Sequence, residues 1–305
     1  MPEEKVSFVP ELSINGRLHV FRRYFAAPGE FDSMEVDAYV VASKRYLIVC
    51  DTLLSPEDMA QVMEEVSGEL HGRQLLVFNS HADWDHCWGN SYFSGSNAAP
   101  IIAHQHSVTR LRSVDARERL EYYQPRYPQF EHVVLTEPTI TFTDGLTIHG
   151  GDLEMRLLHT PGHHADHSAM WIPEMSLLLA FDAVEKPFPM IEDADGAPAL
   201  LATLEQFLQL QPQRVLCSHG KTSSPDMINK NLAYLREIEK RCRDLLSQQS
   251  ASTIASEQLG TMLNYSFDEA IEQVIEKGEE VDRTYYSEVH EHNIRCIWQW
   301  LTSGS

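Results

Sequence analysis

The first half of the chain reads as strands joined by tight turns. Leu12 to Tyr24 carries the hairpin signal Asn15-Gly16, and Met34–Ala42 and Tyr46–Cys50 flank a polar Ser-Lys-Arg turn. The period then changes over SPEDMAQVMEEVSGEL, where Met59, Val62, Met63, Val66 and Leu70 share one face, Ser55 stands at the N-cap and Pro56 suits the first helical position. A strand over Gln74–Asn79 follows, so strand, helix and strand deliver the next loop to a carboxyl strand end, where layered α/β folds build their sites. The rhythm repeats with a strand at Pro100–Ala103 and a polar helical stretch carrying Arg110–Tyr123, whose Tyr122, Tyr123 and nearby Tyr127 are expected to pack rather than line a pocket.

Short strands are expected at Val133–Leu135, Thr139–Phe142, Leu146–His149 and Met155–Leu158, around the turn signal Asp144-Gly145, and again at Ser176–Phe181 and Arg214–Cys217. From Pro225 the pattern is helical. Ile228 to Ser247 places Leu232, Leu235, Ile238, Cys242 and Leu245 on one face, and Tyr286 to Leu301 does so with Ile294, Ile297, Trp298 and Leu301. Between them SQQSASTIASEQ reads as a linker leading to a shorter helix. The chain is therefore expected to hold an α/β domain over residues 1–224 and a helical extension over 225–305, either a cap or a homodimer element.

Charge narrows the partners. With 24 basic against 45 acidic residues the formal charge is -21, which repels phosphate backbones and anionic lipid, so nucleic acid and membrane surfaces are not expected partners and a small-molecule substrate is. The start, MPEEKVSFVP, has no basic and apolar leader, and no apolar run approaches the roughly 18 residues of a membrane span, so the chain is read as cytoplasmic. The five cysteines, Cys50, Cys87, Cys217, Cys242 and Cys296, are scattered and odd in number, which points to free thiols.

The candidate chemistry starts at SHADWDHCWGN, where His81, Asp83, Asp85 and His86 crowd into six positions. Alternation in the extended part turns His81, Asp83 and Asp85 one way, and entry into a following helix turns His86 toward a different ligand set. One loop can thus serve two metal ions. His163 lies in HTPGH, whose Pro161-Gly162 turn exposes the imidazole; Asp182 follows an apolar strand, where its two oxygens can bridge two cations; His219 follows another and precedes Gly220, which permits close backbone approach.

In this order, IVCDT, SHADWDH, HTPGH, the FD strand end and the SHG strand end resemble the metallo-β-lactamase-fold superfamily of hydroxyacylglutathione hydrolases, lactonases and related hydrolases, over residues from about Val6 to Gly220. The resemblance implies an αββα sandwich with the metal site at one edge of the sheets. It implies one ion on His81, Asp83 and His163, a second on Asp85, His86 and His219, and Asp182 bridging them, with Asp51 supporting the loop rather than ligating. It assigns no ligand role to His159, His164 or His167. Asp166 is read as a loop residue, and His104 and His106 as structural or substrate-facing.

The family loop is HxHxDH, and here Asp83 replaces the middle histidine. Two divalent ions set against Asp83, Asp85, Asp182 and a bridging hydroxide then sum to zero charge, where the usual loop leaves one positive. A neutral site polarises a carbonyl less and acidifies water less, and added oxygen donors move preference from zinc toward iron or manganese. The implied activity is that of a metallo-hydrolase acting on a small ester, thioester, lactone or phosphoester through a hydroxide held by two divalent ions, zinc foremost. Asp85 orients the nucleophile. The alternative is a di-iron oxidoreductase or oxygenase on the same fold, as in superfamily members with Glu at this position. A binding module that has lost its metal is disfavoured by the otherwise intact ligand set, and a nuclease by the absence of a basic strip. Cys87 and Cys217 are expected to pack inward rather than touch metal, and Lys186 to be a solvated surface lysine. The pocket is expected from the Arg110–Tyr127 region, the KPFPMIEDADG loop and the helical tail.

Overall fold

The computed structural model describes residues 5–27, 31–248, 259–276 and 278–303. Seven strands, β1 (Ser7–Phe8), β2 (Leu18–Ala27), β3 (Phe31–Ala42), β4 (Tyr46–Cys50), β5 (Gln74–Phe78), β6 (Ile101–His104) and β7 (Ile140–Phe142), form one sheet in sequence order. The sheet is antiparallel from β3 to β4 and parallel from β4 through β7. A second sheet has the order β12-β11-β10-β9-β8, made of β8 (Gly145–His149), β9 (Glu154–His159), β10 (Ser168–Ile172), β11 (Leu177–Leu179) and β12 (Arg214–Leu216). Helices α1 (Pro56–Glu65), α2 (Trp84–Cys87), α3 (Gln105–Leu111), α4 (Val114–Tyr123) and α5 (Gly196–Leu210) intervene, and α6 (Asp226–Gln248), α7 (Leu259–Leu263), α8 (Phe267–Glu272) and α9 (Arg283–Thr302) follow. The architecture is thus the expected α/β sandwich class with a helical extension.

Local chemistry explains the elements that carry the site. Ser55 caps α1 by accepting from the Asp58 amide at 3.1 Å, Pro56 opens the helix, and Met59, Val62 and Met63 are buried. Strand β4, YLIVC, is buried along nearly its whole length and pairs in parallel with β5 from Tyr46↔Gln74 to Cys50↔Phe78. That register brings Asp51, just past β4, beside Ser80, just past β5. The Asn15-Gly16 turn forms as expected, with Gly16 at φ +65° and Ile14 and Leu18 exchanging amide-to-carbonyl bonds.

Several expectations fail for physical reasons. Val133–Leu135 forms no strand, its Val134 being exposed. The Arg110–Tyr123 stretch is two helices, because Ser113 starts a new one by capping Ala116. The strand expected over Ser176–Phe181 ends at Leu179, and Phe181 takes a left-handed turn at φ +48°. Strand β10, SAMWI, is buried at every position and so lacks the alternation by which strands are recognised. Most of the linker read in SQQSASTIASEQ, residues 249–258, lies outside the described residues.

Two compact units divide the chain, one of residues 1–25, 35–159 and 166–177, the other of 26–34, 160–165 and 178–305. In the first, an aromatic cluster forms from Phe25, Trp84, Trp88, Tyr123, Tyr127 and Phe130, with Trp84 stacked on Tyr123 at 5.4 Å. Tyr123 and Tyr127 therefore pack, as expected. In the same unit, Arg22 binds Asp37 through two bonds of 2.7 Å, both residues buried. In the second unit, α5, α6 and α9 bury Leu204, Phe207, Leu235, Ile238, Cys242, Ile294 and Ile297. Two buried asparagines on these helices pin the loop after Asp182. Asn231 bonds the Glu185 amide and carbonyl and the Pro187 carbonyl, while Asn293 bonds the Pro189 carbonyl and the Ile191 amide.

Candidate metal centre

In the first unit, His81, Asp83, Asp85 and His86 converge at the end of β5. His81 Nε2 lies 3.5 Å from Asp83 Oδ2, His86 Nε2 lies 3.4 Å from Asp85 Oδ2, and the two imidazole centroids are 4.1 Å apart. Asp83 ends the extended segment and α2 starts at Trp84, so the loop turns between the two His–Asp pairs.

A single carboxylate sets both imidazoles. Asp51 accepts from the Ser80 amide at 2.7 Å, from Ser80 Oγ at 2.7 Å and from His86 Nδ1 at 2.9 Å. Ser80 Oγ has one proton and gives it to Asp51, so it accepts from His81 Nδ1 at 2.9 Å. Both imidazoles therefore carry their proton on Nδ1 and turn the Nε2 lone pair toward a carboxylate.

The second unit repeats the arrangement. His163 Nδ1 donates to the Met190 carbonyl at 3.1 Å, which leaves the Nε2 lone pair 3.6 Å from Asp182 Oδ2, and His219 Nε2 lies 3.4 Å from the same oxygen. Glu185, also buried, brings a carboxylate oxygen within 4.8 Å of the His163 and Asp182 donor atoms, and its Oε2 accepts from Tyr286 at 3.0 Å. Glycines shape this half. Gly162, at φ +132°, would drive a Cβ to 2.4 Å from the Leu200 amide, and Gly220, at φ +104°, to 2.7 Å from the Lys186 carbonyl.

A lone pair facing a carboxylate is repulsive unless an electrophile sits between them. Separations of 3.4–3.6 Å exceed a normal hydrogen bond. They match the edge of a coordination tetrahedron, about 3.3 Å for donors about 2.0–2.1 Å from a shared cation. Imidazole and carboxylate donors so spaced fit divalent metal ions.

A family model described as the metallo-beta-lactamase superfamily matches residues 33–219, more than half of the chain. The chain belongs to the metallo-β-lactamase superfamily. Among solved structures, the metallo-beta-lactamase from Pontibacter korlensis is 13% identical at a TM-score of 0.58, covering 76% of this chain and 99% of its own. TMB-1 is 14% identical at a TM-score of 0.60, covering 76% and 98%. FIM-1 from Pseudomonas aeruginosa, solved in a mono-zinc form, is 13% identical at a TM-score of 0.57, covering 78% and 97%. At such identity these likenesses speak for the fold alone. No curated protein matches the chain at a significant level.

Other residues of this superfamily member take different places. His159 stacks on His104 at 3.9 Å, His164 pairs with Glu192 at 2.9 Å, and the His167 ring lies 5.3 Å from that of His81. His104 is structural, with Nε2 donating to the Thr143 carbonyl at 2.7 Å and Nδ1 capping α3; burial and the neighbouring His159 lower its pKa to about 4. All five cysteines are buried free thiols. Burial pushes the Cys87 thiol well above its ordinary value, and Cys217 donates to the His219 carbonyl at 2.9 Å. Lys186 is no solvated lysine; only 14% of its side chain is exposed, and it pairs with Glu279.

Asp166 is no plain loop residue either. It is fully buried, accepting from the Ala82 amide at 2.9 Å, Ser107 Oγ at 2.8 Å and Arg110 Nη1 at 2.7 Å. Arg110 also pairs with Asp83 Oδ1 through Nη2. Burial opposes its charge, but Asp83 and Asp166 together hold the guanidinium pKa above its ordinary value. Sequence reasoning missed Arg110, Asp166 and Glu185, since no spacing rule links Arg110 on α3 and Asp166 to the loop at Ala82, or Glu185 to Tyr286.

Proposed function

We propose that this protein is a dinuclear metallo-hydrolase, with one divalent ion on His81, Asp83 and His163, a second on Asp85, His86 and His219, and Asp182 bridging. The observation that carries this reading is the set of Nδ1-protonated imidazoles, His81, His86 and His163, whose Nε2 lone pairs face carboxylates at 3.4–3.6 Å. Bound divalent ions supply Lewis acidity and an acidified water.

The protein's own groups do the rest. Asp51 and the Met190 carbonyl hold three imidazoles in the ligating tautomer. Asp85, 6% exposed, offers its carboxylate to orient a water and take its proton. Asn231 and Asn293, on the helices of the 225–305 extension, fix the chain that follows Asp182. We assign residues 1–224 to the catalytic domain and the substrate to small esters, thioesters, lactones or phosphoesters, because reaction at an activated water needs no side-chain nucleophile. The described residues contain no helix long and apolar enough to cross a membrane.

The test is metal analysis of protein expressed without added metal, followed by ester, thioester, lactone and phosphodiester panels on wild type, H86A and D182N. Two equivalents of zinc and hydrolysis lost in both variants are expected. Unchanged turnover in D182N would sink the assignment. A second reading, di-iron redox chemistry, is favoured by the carboxylate-rich donor set that Asp83 and Glu185 create. Two irons, a visible absorption band and no hydrolysis on any panel would replace the first reading with the second.

A further inference from the structure

Asp83 is the position where the chain leaves the family loop, and Arg110 is the residue built against it. The guanidinium is forked between two carboxylates, Nη2 on Asp83 Oδ1 and Nη1 on Asp166 Oδ1. Asp166 is itself anchored by hydrogen bonds: Ser107, three residues before Arg110 on α3, and the Ala82 amide, beside Asp83 in the loop, both bond its Oδ2. The helix, the buried acid and the loop thus close a ring around the Asp83 side chain. Arg110 holds Oδ1, and Oδ2 is the oxygen that lies 3.5 Å from His81 Nε2.

We infer that Arg110 is a positioning residue that makes Asp83 a one-oxygen ligand, so that an aspartate does the work of the single-point histidine of the usual loop. Charge compensation is not the main effect, because Asp166 returns the negative charge that Arg110 offsets. Geometry is. An unrestrained aspartate can chelate a cation with both oxygens and raise its coordination number, whereas a histidine cannot. The inference rests on the two-ion reading above and adds to it the residue that fixes the shape of one ion's shell.

Cobalt(II) tests this, because its visible bands are intense in four-coordinate sites and weak in six-coordinate ones. The variants are R110K, which keeps a cation but not the fork, and R110M/D166N, which leaves no unpaired buried carboxylate. Folding of each is checked by circular dichroism without metal, and zinc affinity by competition with a chromophoric chelator. Because only the ion on Asp83 is affected, both variants are expected to lose about a quarter to a half of the absorbance per cobalt and to bind zinc at that ion about tenfold more weakly or worse. A control, H219A, keeps the fork and is expected to lose one equivalent of metal while the remaining band keeps its intensity. Wild-type bands and affinity in R110K overturn the role of Arg110 while leaving the two-ion reading intact. Failure of the wild type to take up cobalt or zinc overturns both.

Discussion

Replacing Asp51 with asparagine alters almost no volume, yet the hydrogen-bond geometry predicts a large effect. The carboxylate receives three donors, the Ser80 amide on Oδ1 and both Ser80 Oγ and His86 Nδ1 on Oδ2. Asparagine has one acceptor oxygen. The Ser80 amide can only donate, so that oxygen must occupy the Oδ1 place and the NH2 group the Oδ2 place. There the NH2 donates to His86 Nδ1, whose proton moves to Nε2, and the Ser80 hydroxyl turns onto His81 Nδ1, sending that proton to Nε2 as well. Both ligand lone pairs are then capped by hydrogen. Loss of a supporting hydrogen bond to a metal-ligating histidine costs about 10–100-fold in affinity, and His81 and His86 serve different ions, so each ion is expected to bind about 10–100-fold more weakly, or by about 1.4–2.7 kcal/mol. Zinc competition against a chromophoric chelator measures the affinity, and imidazole nitrogen-15 shifts of the metal-free variant report the tautomers. An affinity within threefold of wild type, or Nδ1-protonated imidazoles in D51N, would refute the tautomer argument.

Three further outcomes are expected. R22M leaves Asp37 buried without its Arg22 counter-charge, which costs about 3–5 kcal/mol in urea unfolding, and R22M/D37L recovers most of it. G162A pushes a Cβ against the α5 backbone from a left-handed position, so it destabilises the fold by about 1–3 kcal/mol or more and weakens metal binding through His163, both measurable on one preparation. His104 has a folded pKa near 4 against an unfolded value of 6.5, so the unfolded chain takes the proton first. Its contribution is complete above about pH 6.5 and is lost as pH falls toward about 4, and H104F flattens that part of the stability profile.

Much of this could be read from the chain. His81, Asp83, Asp85 and His86 come together because they occupy one continuous segment at a strand end, but the expected alternation misgroups Asp85: α2 starts at Trp84, so Asp85 pairs with His86 rather than facing with His81 and Asp83. Ser55, Pro56 and the apolar face of α1 likewise act locally. What escaped depends on distant partners. Asp166 is decided by Ala82, Ser107 and Arg110, and Lys186 by Glu279. The HADH stretch holding Asp166 offers histidines as more conspicuous candidates, and β10 hides because complete burial erases alternation.

The Asp51 carboxylate also has a consequence for how the protein fills. It is a common base for two imidazoles assigned to different ions, so the two occupancies are thermodynamically linked. An ion on the His86 lone pair would acidify its Nδ1 proton, draw Asp51 toward that ring and slacken its grip on Ser80, to which His81 is bonded. Two ions held as proposed would then load in two unequal steps, with a half-filled protein between the empty and the full one.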